Sequence, residues 1–222
     1  VPATLDLPAG KGLIGGIVAP DEFVRKKGEP ALPLVWQWNH NPDNSLWSVN
    51  ARSGYLRLTT GRVDTNFLNA RNTLTQRTIG PVCAGSTLLD ISKMKDGDFA
   101  GLALLQKNYG IAGVKIDGAK RSLVMINAGS GKAEEAARIP LTQNRIYLKA
   151  ECDFTDKKDV GNFFYSFDGK AWKPIGTPLK MTYTLPQHFM GYRFALFNFA
   201  TKNAGGSADF DFFHIEDSIT NK

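Results

Sequence analysis

Cysteine and histidine are scarce in this chain of 222 residues, which holds two of the first and three of the second. Cys83 and Cys152 stand alone in strand-like stretches, and no CxxC pair occurs. Metal sites built on sulfur need Cys and His ligands at short spacing, so the sequence argues against a zinc site. Two separate buried thiols and one disulfide both remain open at this point.

Long apolar runs are also lacking. A membrane helix needs about 20 consecutive apolar residues, whereas residues 13–19 form a short stretch that two glycines break. The sequence therefore predicts no membrane partner. No basic n-region precedes this stretch and no Met starts the chain, so we expect a mature product or a piece of a longer protein. An extracellular and a bacterial cytoplasmic location both stay open.

Clustered positive charge is missing, although 27 basic and 21 acidic residues give a net charge of +6. The basic pair Lys157 and Lys158 is flanked by Asp156 and Asp159. Nucleic-acid binding relies on a basic patch or stripe, and scattered lysines are typical of a solvated surface. We expect no nucleic-acid partner, while a mildly basic surface also suits an acidic polysaccharide.

Aromatic residues, glycine and short alternating segments dominate what is present, with 14 Phe, 6 Tyr and 22 Gly. Residues 54–59 alternate as a half-buried strand does. Residues 99–106 are apolar almost throughout, as expected of a strand covered on both faces. The dipeptide Asp168-Gly169 between two aromatic segments predicts a hairpin with a type I′ turn.

This pattern predicts an all-β fold. Roughly a dozen or more short strands, turn signals between them and no long helical period favour a two-sheet antiparallel β-sandwich. We expect a linker or lead-in segment at residues 1–20, one sandwich domain at residues 21–217 and a tail at residues 218–222.

Residues 32–49 hold three of the four tryptophans and form the most distinctive stretch. Trp36 and Trp38 are two apart, so a strand points them to the same side. Trp36 shares that side with Leu34 and is predicted to be core, and Trp38 to lie at the rim. The polar loop at residues 40–44 is predicted to face a ligand or a partner domain.

A sugar site combines aromatic faces with planar amides or guanidinium groups that bind hydroxyls. Several amides and arginines of this chain occur on otherwise apolar strands, where a buried amide must find partners. A ligand cleft would supply those partners, and so would loops that cross the sheet. The candidate sugar-binding residues are Trp38, His40, Asn41, Asn72, Gln76, Arg77, Gln106, Tyr109, Asn198 and Phe199.

Carboxylates offer two other chemistries. Glu151 and Asp153 have the spacing of paired acids on one strand, so a stand-alone jelly-roll glycanase or lyase is an alternative. Asp21 and Asp211 belong to terminal strands that often pair in sandwiches, where carboxylate oxygens suit a structural calcium ion. No pattern in the sequence requires a cofactor.

Six blocks of the sequence resemble, in order, the C-terminal concanavalin A-like module of glycoside hydrolase family 43 β-xylosidases and arabinofuranosidases. The first block is LVWQWNHNPD at residues 34–43. The likeness covers residues 21–217. The other blocks are residues 54–58, 70–77, 94–102, 164–169 and 208–213.

The resemblance implies a concanavalin A-like β-sandwich that follows a catalytic five-bladed propeller. It implies that the propeller holds the catalytic carboxylates, and that this chain is an accessory module without them. Because related modules bind xylan, we predict a non-catalytic carbohydrate-binding module for xylan or xylooligosaccharides. A purely structural module that docks on the propeller is the other reading.

Overall fold

A computed structural model describes residues 16–183 and 190–220. Within these residues the chain forms sixteen β-strands, two short 3-10 turns at Phe67–Asn69 and Thr155–Lys157, and no α-helix. The predicted all-β class is therefore confirmed. No helix of this part of the chain is long and apolar enough to span a membrane. Residues 1–15 of the expected lead-in and 221–222 of the expected tail lie outside the described residues.

The strands are short in the first quarter of the chain and longer in its middle. In chain order they are β1 (Gln37–Trp38), β2 (Trp47–Ser48), β3 (Leu56–Thr59), β4 (Leu74–Arg77), β5 (Val82–Lys93), β6 (Asp98–Leu105), β7 (Gly110–Asp117), β8 (Lys120–Asn127), β9 (Glu134–Pro140), β10 (Arg145–Asp153), β11 (Val160–Ser166), β12 (Lys173–Pro174), β13 (Leu179–Lys180), β14 (Arg193–Ala200), β15 (Ser207–Phe210) and β16 (His214–Glu216).

Two antiparallel sheets form the sandwich. The seven-stranded sheet has the order β1-β4-β14-β6-β7-β8-β9, and the nine-stranded sheet contains β12-β11-β10-β5-β15-β3-β2. In the nine-stranded sheet β13 also pairs with β11, and β16 pairs with β5. Neighbours in these sheets are often distant in sequence, so the fold depends on long-range pairing rather than on consecutive hairpins alone.

The main core fills the space between the sheets. Leu102 and Leu104 of β6 contribute to it from one sheet, and Leu89 and Leu148 contribute from the other. Each of these side chains is fully buried. Burying one such side chain contributes about 1.5–3 kcal/mol, so this layer supplies the main driving force for assembly.

A second apolar cluster covers the outer face of the seven-stranded sheet. Ala103 and Leu105 of β6 and Phe197 of β14 belong to it, and Phe67 of the first 3-10 turn packs on top. The ring of Phe67 lies 4.9 Å from that of Phe197. All eight residues of β6 are buried, which confirms that this strand is covered on both faces.

Trp36 anchors the beginning of the described chain to its end. Its ring lies 5.8 Å from Phe23 and 5.2 Å from Phe213, and its indole N–H donates to Asp21 Oδ2 at 2.8 Å. Asp21 also pairs with Phe213 through the backbone. The predicted core position of Trp36 is confirmed, because only 7% of the residue is exposed.

The hairpin at Asp168-Gly169 exists, but its turn is wider than predicted. Tyr165 of β11 pairs with Lys173 of β12, so the connection is longer than a two-residue type I′ turn. Asp168 Oδ1 instead accepts hydrogen bonds from the backbone of Lys170 and Ala171, each at 2.8 Å. The side chain therefore replaces the strand pairing that the tight turn would have required.

The two cysteines lie directly opposite each other on β5 and β10. Both Cys83 and Cys152 are buried and free, so the structure has thiols where the sequence left a disulfide open. Burial raises the pKa of the Cys152 thiol well above its ordinary value. A thiol with a raised pKa is a poor nucleophile near neutral pH, which indicates a packing role.

Asp90 organises the outer face of the nine-stranded sheet. Its Oδ2 accepts hydrogen bonds from Arg52 at 2.9 Å and from Arg145 at 3.2 Å, and its Oδ1 accepts one from the Ser92 backbone. Burial alone would raise the pKa of Asp90, but the bonds from Ser92 and both arginines outweigh it and lower the pKa to about 2. The ionised form is therefore favoured by folding.

We expect Asp90→Asn to destabilise the protein by about 1–2 kcal/mol at pH 7. Because the folded pKa lies below the unfolded one, this stability is present above about pH 4 and is lost as the pH falls towards 2. Urea unfolding at pH 7, 4 and 2.5 measures the difference between variant and wild type. Asp217→Asn, at an exposed acid, is the control, and an equal gap at every pH would contradict the assignment.

Candidate functional site

The loop at residues 40–44 is held by hydrogen bonds from a neighbouring segment. His40 Nε2 lies 2.7 Å from the carbonyl oxygen of Leu68, and Arg71 Nε donates to the carbonyl of Asn41 at 2.9 Å. Asn72 bonds both the N–H and the carbonyl of Asp43, each at 2.9 Å. The loop is thus preorganised, with His40 and Asn41 exposed.

Trp38 lies beside this loop and is half-buried against the main core. Its ring packs on Trp47 at 5.2 Å, and the Trp47 indole N–H donates to Asn44 Oδ1 at 2.9 Å. The two indoles therefore pack on each other at the end of the sandwich, which agrees with a rim position for Trp38.

Gln76 and Gln106 are fully buried. The side chain of Gln76 bonds both backbone groups of Ala19, at 3.1 and 2.8 Å, and Gln106 Nε2 donates to the carbonyl of Met190 at 3.2 Å. Loops that cross the sheets supply these partners. Both amides therefore have their partners within the chain. The exposed Arg77 lies elsewhere, beside Gln37 and Leu34.

Asn198 differs from the other amides because one of its atoms lacks a partner. Its Nδ2 donates to the carbonyls of Leu58 at 2.8 Å and Gly206 at 3.4 Å. Its Oδ1 is buried and accepts no hydrogen bond from any described residue. An unsatisfied buried acceptor costs about 1–3 kcal/mol, so a donor that reached this atom would stabilise the folded protein.

Asn198 lines a small polar pocket, called here the Asn198 pocket, with a volume of about 80 Å³. It brings together three of the predicted residues, Asn72, Asn198 and Phe199, with Arg71 and the backbone-clasped Asp43. Arg62 pairs there with Asp64 at 2.9 Å. The remaining lining residues are Leu46, Thr59, Thr60 and Gly61.

A wider groove, called here the outer-face groove, lies on the outer face of the seven-stranded sheet and measures about 320 Å³. Phe199 lines both it and the Asn198 pocket, and the predicted Tyr109 lies in the groove with Phe99. Lys115 Nζ lies 5.1 Å from the centre of the Phe99 ring and 3.3 Å from Glu135 Oε2. The groove therefore places charged hydrogen-bonding groups beside the edges of rings that are otherwise buried.

Phe99, Lys115 and Glu135 are groove residues that the sequence reasoning missed. Lys115 and Glu135 look like ordinary solvated charges in the sequence, since β7 and β9 give no sign that they face each other. The apolar run of β6 was the available signal for Phe99. A strand that is covered on both faces carries apolar side chains on its outer face as well.

The paired acids of the enzyme reading have separate structural partners. Glu151 Oε1 lies 2.6 Å from Lys149 Nζ and accepts hydrogen bonds from Thr220. Asp153 accepts a bond from the Thr155 backbone at 2.9 Å and pairs with Lys158 at 3.2 Å. Both carboxylates are buried among these groups, which is not the open cleft that a glycosidase needs.

The calcium candidates also have protein partners. Asp21 receives both terminal nitrogens of Arg25, at 2.8 and 2.6 Å, and Asp211 accepts from Tyr55 at 3.3 Å. An arginine that already neutralises Asp21 competes with a cation for the same oxygens. In residues 16–183 and 190–220, no group of three or more His, Cys, Asp or Glu side chains is arranged to hold a metal.

The two packed antiparallel sheets are those of a concanavalin A-like β-sandwich module. A profile of the β-xylosidase C-terminal concanavalin A-like domain matches residues 21–216. The chain belongs to this family, whose members are modules of family 43 glycoside hydrolases.

The relatives are longer proteins. A β-xylosidase of Formosa agariphila is 29% identical over 83% of this chain and 33% of its own length. A bifunctional GH43-CE structure from Bacteroides eggerthii is 63% identical, with a TM-score of 0.93, over 99% of this chain and 28% of that one. An engineered GH43 hydrolase with endo-xylanase and exo-arabinofuranosidase activity is 31% identical, with a TM-score of 0.83, over 95% and 42%. This chain thus spans about a third of the curated relatives it matches.

We expect Asn72→Ala to release the loop at residues 40–44. The change removes the hydrogen bonds to both the N–H and the carbonyl of Asp43, at a cost of about 1–3 kcal/mol. Denaturant unfolding measures the loss, and faster amide exchange at Asp43 locates it. The exposed Asn203→Ala is the control. Wild-type exchange at Asp43 in the Asn72 variant would show that other contacts hold the loop.

Proposed function

We propose that this chain is a non-catalytic carbohydrate-binding module that holds xylan or xylooligosaccharides. The sugar chain lies along the outer-face groove, and one of its hydroxyls reaches into the Asn198 pocket, whose volume of about 80 Å³ admits a hydroxyl group rather than a ring. The unpartnered Asn198 Oδ1 is the observation that carries the proposal. A sugar hydroxyl is a donor of the right size for this atom, and Phe199 connects the pocket to the groove.

The groove has the mixed chemistry that sugars require. Its volume of about 320 Å³ lies within the usual range of ligand sites, roughly 300–1,000 Å³. Phe99 and Tyr109 offer apolar edges, while Lys115, Glu135 and Asn66 offer groups for hydroxyls. Hydrogen bonds from Arg138 and Lys115 lower the pKa of Glu135, with the Arg138 contribution larger, so this carboxylate accepts hydrogen bonds at neutral pH.

The relatives support xylan as the glycan class. Curated relatives are named β-xylosidases, and the engineered relative displays endo-xylanase activity. The separate partners of Glu151 and Asp153 support a non-catalytic role. We therefore assign substrate attachment to this module and hydrolysis to the catalytic domain of a parent enzyme.

We expect Ala133→Trp to weaken xylohexaose binding, because Ala133 is exposed and lines the groove. An indole there fills the space for a sugar ring and raises the dissociation constant of this site about tenfold, or about 1.4 kcal/mol. Isothermal titration calorimetry measures the change. The control is Ala119→Trp, which places the same ring at an exposed turn.

Side-chain amide resonances give an independent readout. On titration with xylohexaose, the Asn198 side-chain NH₂ signal should shift together with the backbone signals of Lys115 and Phe199. If only water occupies the Asn198 pocket, the Asn198 signal stays fixed. Unchanged affinity in the Ala133 variant would refute the groove as the sugar site.

We also propose a second role, docking on the catalytic domain, which a separate observation favours. Leu34 is 99% exposed and Ile17 is 62% exposed, and both line an apolar depression of about 630 Å³ with Pro33 and Val35. Contiguous exposed apolar surface of this kind often marks an interface. Gly16, Ile17 and Ala19 of the lead-in also line it, so a domain joined to the lead-in would lie close to this surface.

We expect the chain to associate with a separately produced family 43 catalytic domain, and Leu34→Asp to abolish that association by burying a charge in the interface. Analytical ultracentrifugation of the mixture measures complex formation. Val63→Asp, at another exposed apolar residue, should leave the complex intact. Association that survives Leu34→Asp would assign docking to another surface.

A further inference from the structure

A second groove lies on the opposite side of the sandwich, on the outer face of the nine-stranded sheet. It measures about 470 Å³ and is lined by aromatic, amide, hydroxyl and charged side chains. We propose that this groove, called here the Tyr147 groove, is a second binding site for a xylan chain. The proposal rests on the proposed function and extends it from one sugar site to two. The lining residues are Leu88, Asp90, Ser92, Gln143, Asn144, Arg145, Tyr147 and Phe167.

Two rings give the Tyr147 groove its apolar walls. Phe167 directly follows β11 and is 46% exposed. Its ring lies edge-on to Tyr165 at 5.4 Å, which fixes its position without covering it. Tyr147 is half-buried and packs beside Phe212 at 6.4 Å. The exposed ring of Phe167 offers a face for C–H stacking by a sugar, and the uncovered part of Tyr147 extends this apolar wall.

The polar side of the groove is held by contacts within the chain. Arg145 and Asp90 are direct partners on β10 and β5, and they form an ion pair at 3.2 Å. The Arg145 side chain is still 51% exposed, whereas that of Asp90 is only 6% exposed. A guanidinium fixed by one carboxylate keeps N–H groups for the paired hydroxyls of a sugar. Asn144 is held in place by a hydrogen bond from Arg121.

The charge of this surface favours a neutral glycan. The Asp90 carboxylate is matched by Arg52 and Arg145, and Asp209 is matched by Arg52 and Arg57. Arg52 is shared, so three arginines face two aspartates and most of the charge on this surface is paired. A hydroxyl-rich main chain fits this pattern, since each hydroxyl both donates and accepts.

The two grooves lie on opposite outer faces of one sandwich, so one short oligosaccharide cannot occupy both. A polysaccharide offers many chains, and two sites on one module then raise the apparent affinity for it without new contacts. The module would bridge neighbouring chains. Binding to insoluble xylan should be tighter than binding to xylohexaose by about a hundredfold, the low end of such effects.

The test compares single variants of each groove with a double variant of both. We expect two xylohexaose molecules per wild-type chain in calorimetry, and one for Phe167→Ala or for Arg145→Gln. Ala133→Trp should weaken binding in the outer-face groove and leave binding in the Tyr147 groove unchanged. The Ala133→Trp/Phe167→Ala double variant should show only the weakened outer-face site. Tyr183→Ala, at another exposed aromatic residue, is the matched control, and urea unfolding checks that each variant is folded.

Backbone resonances of Tyr147 and Asn144 should shift with xylohexaose even in Ala133→Trp. One site per wild-type chain, with no shift at Tyr147, would overturn the second site while leaving the proposed function intact. Binding that persists in Ala133→Trp but disappears in Phe167→Ala would overturn the outer-face groove and leave the Tyr147 groove as the sugar site. Absence of binding in the wild type would overturn both.

Discussion

Burial of both faces of the seven-stranded sheet is the constraint on which the rest of the structure depends. One face of β6 and β14 packs into the main core, and the other carries the second apolar cluster, which water would otherwise meet. The segment with Phe67 must therefore cross the sheet and cover that cluster. The Asn198 pocket and the outer-face groove lie along the edges of this cover, so the candidate site follows from how the sheet is shielded.

Much of the fold could be predicted from local sequence pattern. The apolar residues of β6 indicated burial on both sides, and the position of Trp36 beside Leu34 indicated the core, although Leu34 itself is exposed. The turn at Asp168 was only partly predicted, because its side chain bonds to the backbone of the turn and widens it. Patterns of this kind fix which strand exists, whereas side-chain bonds set its exact end.

The candidate site was harder to predict, because a buried amide gives the same sequence signal for a ligand and for a loop. Gln76 bonds Ala19, which is 57 positions away in the chain, and no local sequence pattern predicts that partner. Asn198 looks the same in sequence, yet it keeps one acceptor unused. The difference depends on which backbone groups the tertiary fold brings within reach. Charged groove residues such as Lys115 are invisible for the same reason.

The pairing of Asp21 with Phe213 has a mechanical consequence. Two backbone hydrogen bonds, each 2.8 Å long, join Asp21 to Phe213 near the end of the described chain. The indole N–H of Trp36 also donates to the side chain of Asp21. Tension applied between Asp21 and Phe213 loads these two bonds first, and β16, which follows Phe213 and pairs with β5, passes the load on to the nine-stranded sheet. A pull on the two ends of the described chain is therefore met by backbone hydrogen bonds before the core between the sheets is disturbed.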